Sequence, residues 1–406
     1  MLIDDLRALN PRDTSYASRF VERLLAAVDA ARASDAHLQP TPNGLAISWR
    51  LDGVLQKLGE FPAGTTTDVV TRLKVLAELL TYRVDVPQEG RIRRPGQGAD
   101  WRVSTFPTLH GERAVVRLVA SAAGPRQLAE LGLPDGIDSS LRSLLAETAG
   151  ALLITGPAGS GKTTTAYACL REIAGPIHTR CAITLEDPVE APLDGVVQSQ
   201  LQPATGFDLA TGLRSVLRQD PEVILIGEIR DRIGAEGVFN AALTGHLVLA
   251  TFHAASAAGA ISRLAEMEIE PYLLRSGLLA VLNQRLLRRL CDCAAPLFDT
   301  ESVAHSSTHP RRPVGCGECQ QTGYRGRLLL AELLLASPTE LGRAILSRED
   351  AARLEELAQA AGLVPIATQA AAAVRDGFTS DAELLRILGS RGIARTVVPR
   401  SPGADG

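Results

Sequence analysis

GPAGSGKTTTAY, Gly156–Tyr167, is the stretch whose reading decides the fold of this chain. Gly156 is followed by four residues and then by Gly161-Lys162-Thr163. An apolar run, ALLIT at Ala151–Thr155, leads into it, and helical spacing follows from Lys162. Strand, glycine loop and helix in that order predict a phosphate-binding loop. The glycines let backbone N–H groups converge on phosphate oxygens, and the helix N-terminus adds partial positive charge. Gly156, Pro157, Ala158, Gly159, Ser160, Gly161, Lys162, Thr163 and Thr164 are therefore the candidate nucleotide contacts. Lys162 is expected to reach the β- and γ-phosphates and Thr163 to ligate Mg2+.

Outward from the loop, apolar runs alternate with helical segments. CAITLE, EVILIG and HLVLATF read as strands, the last two followed by helices through Asn240 and Met267. This alternation predicts an α/β core with a parallel sheet over 128–290. Residues 272–290 carry helical spacing and are read as a helix. The N-terminal 1–119 reads as a separate small α+β domain. It has an amphipathic helix at 16–33, a hairpin at 44–61 turning at Asp52-Gly53, and a helix at 66–80. Two strands across 100–119 turn at His110-Gly111. Residues 120–127 (ASAAGPRQ) read as a linker. A cysteine-containing segment spans 291–327, with a polar insert at 299–313. A helical region is expected over 328–392 and a disordered tail over 393–406.

Bulk properties narrow the function classes. Of 406 residues, 42 are Lys or Arg and 46 are Asp or Glu, a net charge of −4 with 4% aromatics. That balance gives no sign of a nucleic-acid surface. MLIDDLRALNPRD has no signal-peptide pattern. No uninterrupted apolar run approaches the roughly 20 residues of a spanning helix. A cytoplasmic location is the expectation.

Acids at the ends of strands complete the candidate chemistry. Glu228 ends EVILIGE, where an acid holds Mg2+ or its water. TLEDPVE ends another strand with Glu186 and Asp187, with Glu190 just beyond, and a carboxylate there can orient the attacking water. His246 and His253 bracket the strand in TGHLVLATFH and are candidate γ-phosphate sensors. Four of the six cysteines, Cys291, Cys293, Cys316 and Cys319, fall in one segment. In a reducing compartment such clustering suggests metal rather than disulfides. Four thiolates make a tetrahedral Zn2+ site, although the first pair is C-x-C.

These motifs together resemble the secretion ATPase superfamily of type II secretion and type IV pilus assembly. TLEDPVE, GLRSVLRQDPEVILIGEIRD, TGHLVLATFH, NQRLLRRLC and CGECQQTGYRGR follow the phosphate loop in the family's order. Upstream, SDAHLQP, RLDG, VPQEGRI and DWRVSTFPTLHGERAVVRL match its N-terminal domain. The resemblance runs from about Ser34 to Glu332. It implies a RecA-like core preceded by a PAS-like domain, with ATP bound where the two meet and hydrolysis changing the angle between them. It implies that Glu186 is the water-activating base, Glu228 the Mg2+-side acid, and His246 and His253 the paired histidines. Arg214 and Arg218 match arginines of the GLRSxLRQDP motif. Arg102 and Arg117 match arginines that approach the nucleotide, as an arginine finger does.

The resemblance further implies a homohexamer that acts on an inner-membrane platform protein, peripheral to the membrane through that partner. It implies a short form without the family's further N-terminal docking domain. The family's retraction ATPases usually lack the CGECQQTGYRGR region, which favours assembly. Three departures stand out. Ser48 replaces a usual arginine, Asp85 stands near a usual basic residue, and the first cysteine pair is one residue short.

Overall fold

The computed structural model describes residues 2–62, 66–93, 100–118, 127–175, 180–297, 310–336 and 339–394. The chain divides into two compact units, Met1–Gly124 and Pro125–Gly406. Of the expected linker at 120–127 only Gln127 lies within the described residues, and the expected tail lies outside them from residue 395.

The first unit begins with α1 (Leu2–Arg7) and α2 (Tyr16–Ala30). β1 (Asp35–Thr41), β2 (Gly44–Leu51) and β3 (Val54–Pro62) follow, then α3 (Thr66–Leu76), β4 (Gln88–Ile92), β5 (Trp101–Thr108) and β6 (Gly111–Leu118). The six strands form one antiparallel sheet in the order β3-β2-β1-β6-β5-β4. Buried and less buried residues alternate along β1, β2 and β5, the pattern of a sheet with one packed face. Phe20 and Val28 of α2, Leu73 of α3, and Leu38, Ile47, Trp101 and Val116 of the sheet share one core. The β2–β3 hairpin turns at Asp52 and Gly53, both at positive φ (45° and 82°), as a two-residue turn of matching twist requires.

In the second unit α4 (Asp135–Leu145) precedes β7 (Gly150–Thr155) and α5 (Lys162–Ile173). Then come β8 (Ala182–Glu186), β9 (Val197–Gln200), α6 (Leu209–Val216) and β10 (Val223–Ile226). α7 (Arg232–Leu243), β11 (Leu247–Phe252), α8 (Ala257–Glu266) and α9 (Pro271–Gly277) lead to a long β12 (Leu278–Leu290). A two-residue pair, β13 (Ala295–Pro296) and β14 (Arg311–Arg312), precedes β15 (Tyr324–Leu335). α10 (Thr339–Leu346), α11 (Ala351–Ala360), α12 (Ile366–Arg375) and α13 (Asp381–Ala394) end the described chain.

The seven-stranded sheet has the order β15-β12-β7-β11-β10-β8-β9. β7, β8, β10 and β11 are buried along their whole length, as parallel strands covered on both faces must be. Leu153, Ile224 and Val248 face a layer holding Phe239 of α7 and Leu264 of α8. Their neighbours Leu152, Leu225 and Leu249 face the opposite layer, with Leu141 of α4 and Leu170 of α5. This alternation fixes which face each connecting helix covers. Among the described residues no helix is long and apolar enough to cross a membrane.

Two readings of the sequence are corrected. The helix expected over 272–290 stops at Gly277, and Leu278–Leu290 is a strand. LLAVLNQRLLRRL is rich in helix-forming Leu and Arg, but β12 pairs parallel with β7 and antiparallel with β15. Two ladders outweigh a weak intrinsic preference. For the same reason the helical region expected from 328 begins as strand through Leu335, with helices from Thr339. α13 is tied back to β12 by the fully buried Glu383. It accepts from the Arg288 backbone N–H (2.8 Å), from Arg288 Nε and Nη2 (3.0 and 2.8 Å), and from Arg386.

Phe239 is fully buried at the centre of the α7 layer and lies against Gly277. Phe239→Ala removes a whole aromatic side chain there. Urea unfolding should show a loss of about 3–5 kcal/mol. A loss under about 1 kcal/mol would contradict this packing.

Candidate nucleotide-binding and catalytic site

The phosphate loop leaves the sheet at its centre, where Thr155 ends β7 between β11 and β12. Gly156 has φ +145°, and a Cβ there would lie 2.5 Å from the Gln284 carbonyl oxygen and 2.5 Å from Ser160 Oγ. Only glycine fits. Gly161 (φ +90°) turns the chain into α5. Gln284 of β12 donates from Nε2 to the Ser160 carbonyl (2.7 Å) and so holds the loop from beneath. Pro157, Ala158 and Gly159 are exposed at its crest, and Thr163 is exposed in the first turn of α5.

Lys162 folds back over the loop, its Nζ donating to the Gly156 and Pro157 carbonyls (3.1 and 2.9 Å). Partial burial holds its pKa below the ordinary lysine range. Glu228 offsets this and Arg285 adds to it. A lysine held by two carbonyls and a histidine nitrogen, with no carboxylate in hydrogen-bond contact, is available to an arriving phosphate. His253, just past β11, places Nε2 2.7 Å from Glu228 Oε1. Its Nδ1 lies 3.2 Å from the Gly156 carbonyl oxygen and 3.5 Å from Lys162 Nζ. The second oxygen of Glu228 accepts from Arg230 Nε (2.8 Å), and Arg230 Nη1 reaches Asp187 Oδ2 (2.9 Å). The ends of β8, β10 and β11 are thus linked through one carboxylate beside the loop lysine.

Glu186 ends β8 on the face that α5 covers and is buried. One oxygen accepts from Tyr167 O–H; the other accepts from Thr184 Oγ1 (2.6 Å) and Gln198 Nε2 (3.2 Å). Burial, and then the bond to Glu186, raise the pKa of Tyr167 well above the phenol range. Both oxygens of Glu186 are engaged in this arrangement, whereas Asp187 presents an exposed carboxylate at the same strand end.

The structure does not bring His246 to the loop. It precedes β11, and its backbone carbonyl accepts from Gly150 N–H at the start of β7 (3.0 Å). With the six residues of β11 between them, it lies seven steps from His253, about 23 Å at 3.3 Å per residue. Its Nδ1 faces the Ala241 carbonyl (3.0 Å), the environment of a helix-end residue. Arg214 and Arg218 are exposed at and just beyond the end of α6, ahead of β10. Arg214 donates to Thr211 Oγ1 (3.3 Å) and Arg218 to the Arg214 carbonyl (2.7 Å). Both precede β10, whereas Glu228 follows it.

In the first unit, strand register aligns Arg91, Arg102, Arg117, Asp35 and Arg50 as direct cross-strand partners in one row. Four guanidiniums so placed repel. Asp35, 3% exposed, accepts from Arg117 Nε (2.7 Å), with Arg50 Nε at 3.4 Å, and Glu89 accepts from Arg102 (2.6 Å). Burial pushes the Asp35 carboxyl up, but Arg117, Ser34 and Arg50 together outweigh it and hold it below the usual range.

Four members of these constellations were not legible in the sequence. Arg230 sat unread within GEIRD, two residues after Glu228. Gln284 was hidden because its segment was taken for a helix. Arg50 and Arg91 needed the register of the sheet.

The sequence profile of the family described as "Type II/IV secretion system protein" matches residues 10–386. The chain belongs to this family. A type II secretion system ATPase E from Vibrio cholerae is 39% identical over 93% of this chain and 76% of its own length. A type IV pilus assembly ATPase, PilB, from Thermus thermophilus is 36% identical over 92% of this chain and 43% of its own length. The crystal structure of the pilus retraction motor PilT with bound ADP shares the fold. Its TM-score is 0.63 at 24% identity, covering 90% of this chain and 96% of that one.

This family member also carries a second cluster of functional groups. The Sγ atoms of Cys291, Cys293, Cys316 and Cys319 all lie within 4.8 Å of one another. Cys291–Cys316 and Cys293–Cys319 are 3.9 Å apart, and Cys316–Cys319 is 3.7 Å. A tetrahedral zinc with bonds of about 2.3 Å sets sulfur–sulfur separations of about 3.8 Å, so the shorter C-x-C pair still fits. The backbone N–H groups of Cys316 and Gly323 point at Cys319 Sγ (3.1 and 3.2 Å). Burial raises the pKa of that thiol, but those two donors outweigh it and bring it down to about 6. Four sulfurs so spaced can serve one cation as thiolates, with binding itself removing their protons. Elemental analysis of protein purified without chelators should find close to one zinc per chain. Less than half an equivalent would rule the site out.

Proposed function

We propose that this chain is a Mg2+-dependent ATPase that works as a homohexamer at the cytoplasmic face of an inner membrane. Through a membrane platform protein it drives the addition of pilin-like subunits in type II secretion or type IV pilus assembly. That it is an ATPase follows from its family together with an intact phosphate loop. The observation that carries the catalytic reading is the convergence of Lys162, His253 and Glu228 on that loop, with His253 2.7 Å from Glu228 and 3.2 Å from the Gly156 carbonyl. The arrangement supports a RecA-like core, and the antiparallel first unit is assigned the PAS-like role.

In this reading the amides of Gly156–Thr164 bind the phosphates and Lys162 exchanges its carbonyl partners for phosphate oxygens. Thr163 and Glu228 would hold Mg2+, which supplies neutralisation of phosphate charge. His253 reports the γ-phosphate to Glu228 through the bond they share. Glu186 is assigned as the water-activating base, which requires its carboxylate to leave Tyr167 and Gln198. Arg102 and Arg117 are assigned to the γ-phosphate; their pairing with Glu89 and Asp35 keeps a repelling row poised for an anion. Arg214, Arg218 and His246, set apart from the loop of their own chain, are assigned to the neighbouring subunit's site in the ring. The tetracysteine cluster is assigned to structural zinc and favours assembly over retraction.

Steady-state ATP hydrolysis and solution mass, with and without ATP, test this for wild type and Glu186→Gln. Wild type should hydrolyse ATP as a ring-sized species. The variant should bind ATP and turn over about 100-fold or more slowly, the usual contribution of a general base. A wild-type ring that binds ATP yet stays inert with the platform protein's cytoplasmic domain present would overturn the enzyme reading.

A further inference from the structure

Glu332 is a buried carboxylate that the catalytic reading does not use. It lies in the middle of β15, 6% exposed. Its donors are all neutral. Oε1 accepts from the backbone N–H of Ala257 (2.8 Å) and from Asn283 Nδ2 (3.1 Å), and Oε2 accepts from the backbone N–H of Ile366 (3.2 Å). Ala257 and Ile366 are the first residues of α8 and α12. Two helix N-termini therefore converge on one charge, each with N–H groups that have no partner within its own helix. Burial still pushes this carboxyl above its ordinary range, against those donors. A carboxylate kept there at such cost acts as an organising anion or has no reason to be charged.

What it organises can be followed bond by bond. In strand register Glu332 lies opposite Asn283, and Asn283 lies opposite Thr155. Asn283 passes the contact on, its Oδ1 accepting from Thr155 Oγ1 (3.2 Å). Thr155 is the last residue before Gly156. On its other side Glu332 anchors the start of α8, four residues after His253. The intervening segment is pinned at both ends, with Arg263 donating to the His253 carbonyl (2.7 Å) and Arg285 to the Ala255 carbonyl (2.6 Å). One buried group thus fixes the root of the phosphate loop, the segment that carries His253, and the entry to the C-terminal helices.

We propose that Glu332, acting through Asn283 and the N-terminus of α8, is a positioning residue for ATP hydrolysis that sets His253 and Glu228 against the phosphate loop. This rests on the ATPase reading above. A carboxamide in its place turns one acceptor into a donor facing a helix N–H. The carboxamide oxygen holds Ala257 and Asn283 only as a neutral, weaker acceptor, and its nitrogen opposes the Ile366 N–H, so both helix ends loosen while the phosphate contacts of the loop remain.

The test is the kcat and KM for ATP of Glu332→Gln and Asn283→Ala, with Glu383→Gln as a control. The control loosens α13 without touching this chain of contacts. Both test variants should lose about tenfold or more in kcat, with KM within about twofold of wild type, the signature of misplaced catalytic groups. The control should keep kcat at a comparable fall in melting temperature. Asn283→Ala leaves Glu332 its two helix donors, so it decides the matter if Glu332→Gln does not fold. Wild-type kcat in a folded test variant, or an equal kcat loss in the control, would overturn the proposal. Amide hydrogen exchange of residues 254–259, from the segment after His253 into α8, provides a readout independent of turnover. It should quicken in both test variants and not in the control; unchanged protection would overturn the proposal even if wild type proved inert towards ATP, an outcome that by itself rejects only the ATPase reading.

Discussion

The close approach of Gly156 to the backbone of Gln284 is the constraint on which the site depends. The phosphate loop leaves the sheet at once from the end of β7 and runs against the neighbouring parallel strand. A single added carbon would fall 2.5 Å from the Gln284 carbonyl. Because β12 occupies that place, its Gln284 becomes the floor of the loop and its Asn283 meets Thr155 at the loop's root. Because β11 and β10 lie on the other side, His253 and Glu228 emerge beside Lys162. The parallel order β12-β7-β11-β10-β8 thus turns residues more than a hundred positions apart into one cluster.

Much of this was legible in the sequence because it rests on local rules. A buried parallel strand reads as an apolar run, and a glycine loop before a helix reads as a phosphate site. Asp52-Gly53 marks a hairpin because few other residues accept positive φ at both positions, and Gly111 marks the second by its own φ of 117°. Glu228 and His253 could be placed at strand ends from these runs alone. What escaped was set by partners distant in sequence. Leu278–Leu290 looks helical by its leucines and arginines, and only the ladders on both sides make it a strand. With that segment misread, Gln284 and Asn283 had no place in the site. The separation of His246 from His253 follows from strand length once β11 is seen to be fully extended.

Charge in this molecule is arranged around anions as much as around opposite charges. In the first unit a cross-strand row of four arginines is held by Asp35 and Glu89. In the second, Lys162 rests on carbonyls and Glu332 on two helix N-termini. The four cysteines repeat the theme with opposite sign, as closely set sulfurs that call for a cation. Such clusters are costly by themselves; two helix ends relieve the cost at Glu332, and the other clusters are placed to take a ligand of opposite charge.

Glu228, which lies against His253 and Arg230, is the carboxylate proposed to serve hydrolysis at the phosphate loop. The most direct test of that role is Mg2+-ATP binding and turnover of Glu228→Gln beside wild type. ATP affinity should stay within several-fold of wild type, because the loop amides and Lys162 hold the phosphates, and turnover should fall by about 100-fold or more, because the metal would lose its carboxylate. Turnover equal to wild type in the folded variant would contradict that role.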